Sequence, residues 1–158
     1  MAASSSTYPD HLSGSFLGIM PIERGKVREY AAATGAARPV YLDDPAPPIP
    51  PTFLSSVVLW AQIGESTRDE RVLEACRSAG VVADLGNMLS LDQEYVFYGP
   101  TLRAGETVSV SERLRDVTVK QGRQGPMVLV RFVVSFEDPD GRLRAECLYT
   151  SAYLRRDA

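Results

Sequence analysis

The stretch MVLVRFVVSFE, residues 127–137, followed by Asp138-Pro-Asp-Gly141, constrains the fold more than any other part of the chain. A nearly continuous apolar run of this length, bounded by turn residues, reads as a central β-strand. Asp-Pro-Asp-Gly supplies the residue types of a tight reversal, so residues 142–154 return antiparallel beside it. Leu143, Ala145, Cys147, Tyr149 and Tyr153 then share one face. Upstream, residues 107–120 alternate through Val108, Val110 and Leu114 and then change register to Val117 and Val119. That slip predicts a β-bulge between Leu114 and Val117. Tyr95 and Phe97 belong to a further short strand that Gly99-Pro100 stops. About four antiparallel strands follow, with one face in need of a cover.

The first half of the chain supplies the cover. Val27, Tyr30, Ala31 and Thr34 recur at helical spacing over residues 22–34, and Gly35 stands where a left-handed cap ends a helix. Residues 45–51, PAPPIPP, are an extended stiff connection, because proline fixes φ and lacks the backbone donor. Thr52 offers an N-cap for FLSSVVLWAQIG, which is apolar nearly all round and predicts a helix buried on most faces, Trp60 included. Asp69 to Ser78 predicts another helix, ended by Gly80. Helices first and strands afterwards make an α+β chain in which the sheet wraps the buried helix.

Composition narrows the function. With 158 residues, the chain suits a single domain, here residues 15–158, preceded by a loose polar tail over 1–14. A net charge of −3 offers no basic face for nucleic acid. No apolar run approaches membrane-spanning length, and the N-terminus lacks the basic and apolar regions of a signal peptide. Two cysteines, Cys76 and Cys147, make neither a disulfide framework nor a metal knuckle, and read as small buried apolar residues. A reduced, cytoplasmic protein is the expectation.

Three pieces in order, PIERGKVREYAAATGAARPVYLDD, PPTFL and DQEYVFYGPTLRAGETVSV, resemble the N-terminal-type domain of the MaoC-like hydratases and dehydratases. The resemblance spans about residues 15 to 154. It implies the hotdog fold, a long helix wrapped in an antiparallel sheet, with two such units pairing so that their sheets join as a double hotdog. It also implies acyl substrates carried as thioesters on coenzyme A or acyl carrier protein, and no cofactor. The reaction is the reversible hydration of a trans-2-enoyl thioester to the (R)-3-hydroxyacyl form.

Active members carry an Asp soon after the first helix and a His five residues later, because one group moves the α-proton while another handles water or the β-hydroxyl. Laid on this chain, those positions fall on Ala36 and Tyr41. Alanine transfers no proton, and a tyrosine of pKa near 10 is a poor substitute at neutral pH. Asp43 and Asp44 stand nearby as weak candidate bases, although a solvated turn before the proline run is the favoured reading of both. The only histidine, His11, lies in the tail. The frame of a site is present without its acid and base. Within the family this pattern resembles the acyl-binding sister subunits of heterodimeric hydroxyacyl dehydratases, whose partner supplies Asp and His. Comparable unequal pairs occur in steroid side-chain and polyketide metabolism.

The resemblance thus implies a MaoC-like catalytic partner subunit, with a homodimer as the alternative and acyl carrier protein as a possible substrate carrier. It implies substrate contacts from Pro51, Thr52, Phe53, Tyr98, Gly99, Pro100, Arg103 and Gly105. Arg103 either meets a phosphate or a carrier's acidic helix, or is merely solvated. Lys120 and Arg123, on the glycine-rich tip KQGRQGP, carry the same alternatives without the strand-to-helix context of a phosphate loop. Other readings are a stand-alone dehydratase using Tyr41 with Asp43 or Asp44, and an acyl-thioester-binding protein without turnover. A hotdog thioesterase is disfavoured, since it needs a carboxylate on the central helix and the Phe53 segment offers only Glu65 at its end.

Overall fold

The computed structural model describes residues 14–155. Five antiparallel strands, β1 (Ser15–Pro21), β2 (Met88–Phe97), β3 (Thr107–Gly122), β4 (Gly125–Glu137) and β5 (Leu143–Leu154), form one sheet in the order β1-β3-β4-β5-β2. The apolar run read as central is the third of the five strands. The register shift in β3 falls between Leu114 and Asp116, where the change of alternation placed it. Five strands rather than about four are present because β1 joins the edge. Its Gly18, Pro21 and exposed Phe16 and Ile19 obscure any alternation.

The register sets two faces. Val110, Phe136 and Ala145 make one inner row, and Leu114, Phe132 and Tyr149 another, with the Phe132 ring stacked on Tyr149 at 4.9 Å. Between them runs the row Glu112, Val134, Cys147 and Tyr95. The outer face carries ion pairs instead, such as Arg131 to Asp116 at 2.7 Å.

Helix α1 (Arg24–Ala33) and the one-turn helix α2 (Pro39–Leu42) precede the proline run, and α3 (Glu70–Ala79) follows it. Val72 and Cys76, one helical turn apart, turn inward, and α3 packs on β3 and β4. The Asp69 carboxylate accepts the N–H of Arg71, and Gly80 at φ 64° closes the helix.

The segment expected as a buried helix departs from the prediction. Phe53–Leu59 is a 3₁₀ helix, and the ten-residue α3 takes the place against the sheet. Three residues per turn bring Leu54 and Val57 inward beside Phe53 but leave Val58 and Leu59 in solvent, at 59% and 65% exposure. Trp60 is half-buried, packed against the core rather than within it. The run is apolar on all sides without being covered on all sides. No helix among the described residues is long and apolar enough to cross a membrane. Residues 1–13 of the expected tail, with His11, lie outside the described residues.

Candidate functional site

The frame around the two empty catalytic positions begins with the fastening of α1. The Tyr30 hydroxyl donates to Thr52, 2.8 Å from its Oγ1 and 2.9 Å from its carbonyl oxygen, while the ring meets Phe53 edge-on at 5.5 Å. Just past the same end of α1, Gly35 adopts φ 73° and the Ala36 N–H returns to the Ala31 carbonyl at 2.8 Å. Pro39 then starts α2, where its fixed φ suits the first helical position. Tyr41 lies half-buried on α2, and Asp43 is exposed behind it.

Asp44 is already committed. One carboxylate oxygen accepts the N–H of Ala46 at 2.8 Å, and the other meets Arg103 Nη2 at 2.7 Å. Arg24 Nε donates to the Asp44 carbonyl oxygen at 3.2 Å. The proline run pairs with the segment before β3 through Ile49 N–H to Leu102 O and Ala104 N–H to Pro47 O, both 2.9 Å. Arg144 braces that segment, with Nη1 3.0 Å from Glu106 and Nη2 donating to the Pro100 carbonyl at 3.0 Å. The Glu106 carboxylate in turn accepts the Arg103 N–H at 2.5 Å. Arg103, Asp44 and Arg24 therefore share one corner of the molecule.

The remaining candidate contacts are dispersed. Pro51 and Thr52 are exposed beside α1, whereas Phe53 is buried in the core. The Tyr98 hydroxyl turns to Glu146 at 2.8 Å on the outer face, where Arg113 and Ser135 also approach that carboxylate. Gly99 and Pro100 are exposed, and the Gly105 N–H donates to the Ile22 carbonyl at 2.9 Å. Lys120 and Arg123 sit at the β3–β4 hairpin, where β5 ends, while Arg103 lies where β5 begins.

The Phe53 segment no longer bears on the thioesterase reading, because the helix against the sheet is α3. Its acids Glu70 and Glu74 are exposed and both bind Arg77. Glu65 stands on a separate 3₁₀ turn, exposed to solvent. No carboxylate of α3 faces the sheet.

Glu112 is the acid that reading by motif passes over. It occupies an inner position of β3, is 3% exposed, and accepts the N–H groups of Gly64 at 2.5 Å and Ser66 at 2.6 Å. The sequence signal was available: an acid stands where Val108, Val110 and Leu114 set an apolar alternation. Burial pushes the Cys147 thiol up to about 11 and raises Cys76, Tyr95 and Tyr149 as well. These groups stay neutral near pH 7. A pocket of about 380 Å³, walled by Ile63, Leu73, Ala83, Leu85, Met88 and Tyr153 among others, opens at the far end of β5. No group of three or more potential metal ligands occurs among the described residues.

No curated protein matches the chain by sequence. Solved structures do match its fold. The ChsH1–ChsH2 complex from Mycobacterium tuberculosis aligns with a TM-score of 0.65 at 16% identity over 93% of this chain and 85% of that one. A C-terminally truncated HadBC (3R-hydroxyacyl-ACP dehydratase) complex from Mycobacterium tuberculosis aligns with a TM-score of 0.60 at 21% identity, over 92% and 99%. A MaoC-like dehydratase gives a TM-score of 0.66 at 18% identity, with 91% of this chain covering 42% of that one. The fold they share with this chain is the hotdog. The family described as FAS1-like, dehydratase domain region, matches residues 18–146. The chain belongs to that family, a domain of the dehydratase type with the hotdog fold.

Proposed function

We propose that the chain is the acyl-binding subunit of a heterodimeric (R)-3-hydroxyacyl-thioester dehydratase, or enoyl-thioester hydratase, whose MaoC-like partner supplies the acid and base. The observation that carries this reading is the emptied dyad. Ala36 has nothing to ionise, Tyr41 stands on a one-turn helix, and Asp44 is held by Arg103 and the Ala46 N–H. General acid–base chemistry needs a pair of groups tuned near the working pH, and no histidine lies among the described residues. Two of the matched structures are complexes of unlike subunits, which supports a partner as the source of the missing groups.

A thioester on coenzyme A or acyl carrier protein presents a phosphorylated arm, and Arg103 with Arg24 offers it cations beside the frame. The pocket at the other end of β5 has a volume within the range of small-molecule sites. Cytoplasmic metabolism of fatty acyl, polyketide or steroid side-chain thioesters is the setting this implies.

The test is hydration of a short and a long trans-2-enoyl thioester by the purified, folded chain. The expected result is no turnover alone and turnover on mixing with a MaoC-like subunit that carries Asp and His. Turnover by the chain alone, abolished by Tyr41→Phe or Asp43→Asn, sinks the proposal and installs the stand-alone enzyme. Thioester binding with no turnover beside any such subunit sinks it in favour of a binding protein.

A further inference from the structure

Among the described residues, strand β2 ends the sheet with its outer edge unpaired over ten residues. Residues 89–94 are all exposed, and β2 makes its sheet contacts with β5 alone. Leu89 and Leu91 are about half in solvent, at 45% and 51%. An apolar edge of this length is a template for another strand and must be covered or guarded. Proline, Lys and Arg, the residues that commonly guard such an edge, are absent from its sequence MLSLDQEYVF. Its charges are Asp92 and Glu94, both acidic.

These two acids share a face of the sheet. Asp92 lies opposite Thr150 and Glu94 opposite Leu148, in the outer rows that also hold Arg131 and Val133. Glu146, the next outer residue of β5, is already engaged by Tyr98 and Arg113, so the uncompensated acids of this rim are Asp92 and Glu94. Pairing of β2 with its own copy about a two-fold axis has few registers that use the middle of the strand. Centred on Asp92, it sets Asp92 against Asp92 of the other copy. Centred on Gln93, it sets Asp92 against Glu94 twice. Leu91 is the extra residue of a β-bulge, since the register to β5 shifts between Ser90 and Asp92, so regular pairing runs from Asp92 onward. Directly opposed side chains on paired strands stand about 5 Å apart and diagonal ones about 7–8 Å, and like charges at those positions oppose pairing. Both registers centred on the acidic stretch therefore bring carboxylates together.

We propose that Asp92 and Glu94 make the β2 edge a partner-selecting surface, which rejects a second copy of this chain and accepts an edge strand of a different chain that carries Lys or Arg opposite them. The exposed leucines supply contact and the acids supply the choice. This deepens the unequal-pair reading above, since it names the chemistry by which the partner is distinguished from self. A partner with a basic edge neutralises two carboxylates that a second copy duplicates.

The chain itself provides the probe. The double variant Asp92→Lys/Glu94→Lys carries the basic edge, and mixing it with the wild type recreates the proposed pairing. Sedimentation velocity at low salt is expected to show each protein alone at the 17.3 kDa chain mass and the mixture at twice that mass. The mixture is expected to dissociate in high salt. The single variant Glu94→Lys provides a second reading. Centred on Gln93, pairing of that variant with its own copy places the introduced ammonium against Asp92 on both sides, so it is expected to dimerise by itself. Circular dichroism confirms that the exposed substitutions leave the fold intact. A wild-type chain that is already a stable dimer overturns the proposal, as does a mixture that stays at monomer mass while Glu94→Lys also stays monomeric. Because the readout is mass, a failed mixture leaves the hydratase reading standing with another docking surface. A failed hydration assay leaves the pairing rule intact.

Discussion

Glu112 reaches from the inner face of β3 to the N–H of Gly64, 48 residues earlier in the chain, at 2.5 Å. Its second oxygen takes the N–H of Ser66 at 2.6 Å, so one buried carboxylate holds both ends of a turn. Gly64 sits at φ 95°, a left-handed conformation that most side chains avoid, and the turn leads directly into α3. The carboxylate is what fixes the start of the central helix against the sheet.

Removing that acceptor strands two N–H donors. Glu112→Ala is expected to lower the free energy of unfolding by about 3 kcal/mol, from about 1–3 kcal/mol for each unsatisfied buried donor. Glu112→Gln keeps one carbonyl acceptor but turns an amino group toward the other donor, and is expected to cost less. Guanidinium denaturation of the three proteins at neutral pH measures this. Equal midpoints would leave the carboxylate without a structural role.

The fastening of α1 to the 3₁₀ segment divides into two parts. Tyr30→Phe removes the hydroxyl bonds to Thr52 and keeps the edge-on contact with Phe53. A loss of about 1 kcal/mol is expected, the net value of a typical hydrogen bond. Tyr30→Ala also removes the ring and is expected to lose about 3 kcal/mol or more. Similar losses for both variants would assign the fastening to the hydroxyl alone.

Asp69 links stability to pH. Hydrogen bonds from the Arg71 side chain and backbone hold its carboxyl below the usual value. A folded pKa below the unfolded one, near 3.9, gives stability that is complete above that value and lost as pH falls through the folded pKa. Asp69→Ala, which also removes the N-cap, is expected to cost about 1 kcal/mol at neutral pH. The gap between variant and wild type should close as the pH is taken from about 5 to below 3. Thermal melts over that range read it, and a gap independent of pH would show that the charged form of the cap contributes nothing.

Both thiols are sealed. Cys76 is 1% exposed and Cys147 is fully buried, and burial raises both pKa values, Cys147 to about 11. Since the thiolate is the reactive species, neither is expected to react with a disulfide reagent at about pH 8 until the chain is unfolded. Fast labelling of the native protein at either position would mean that the inner face of the sheet opens readily.

Much of the sheet was legible in the residues themselves. The Asp138-Pro-Asp-Gly141 reversal, the register change after Leu114 and the Gly80 cap rest on local chemistry, in which a few adjacent residues decide the backbone. The Phe53 segment was not legible in that way. Its apolar composition reads as a buried helix, but whether it is covered depends on what lies over Val58 and Leu59, and no residue nearby decides that. β1 escaped for a related reason: as an edge strand it borrows its regularity from β3.

The site divides along the same line. From the sequence alone came the substitution of Ala36 and Tyr41 at the two positions where the resemblance expects an acid and a base, because the identity of a side chain is local information. Only the tertiary structure could commit Asp44 to Arg103, turn Tyr98 to Glu146, and bury Glu112 under Gly64 and Ser66. Each of those pairs joins residues 46 or more positions apart, where packing rather than spacing chooses the partner. A carboxylate's role follows from what it meets, and that is settled when the sheet closes over α3.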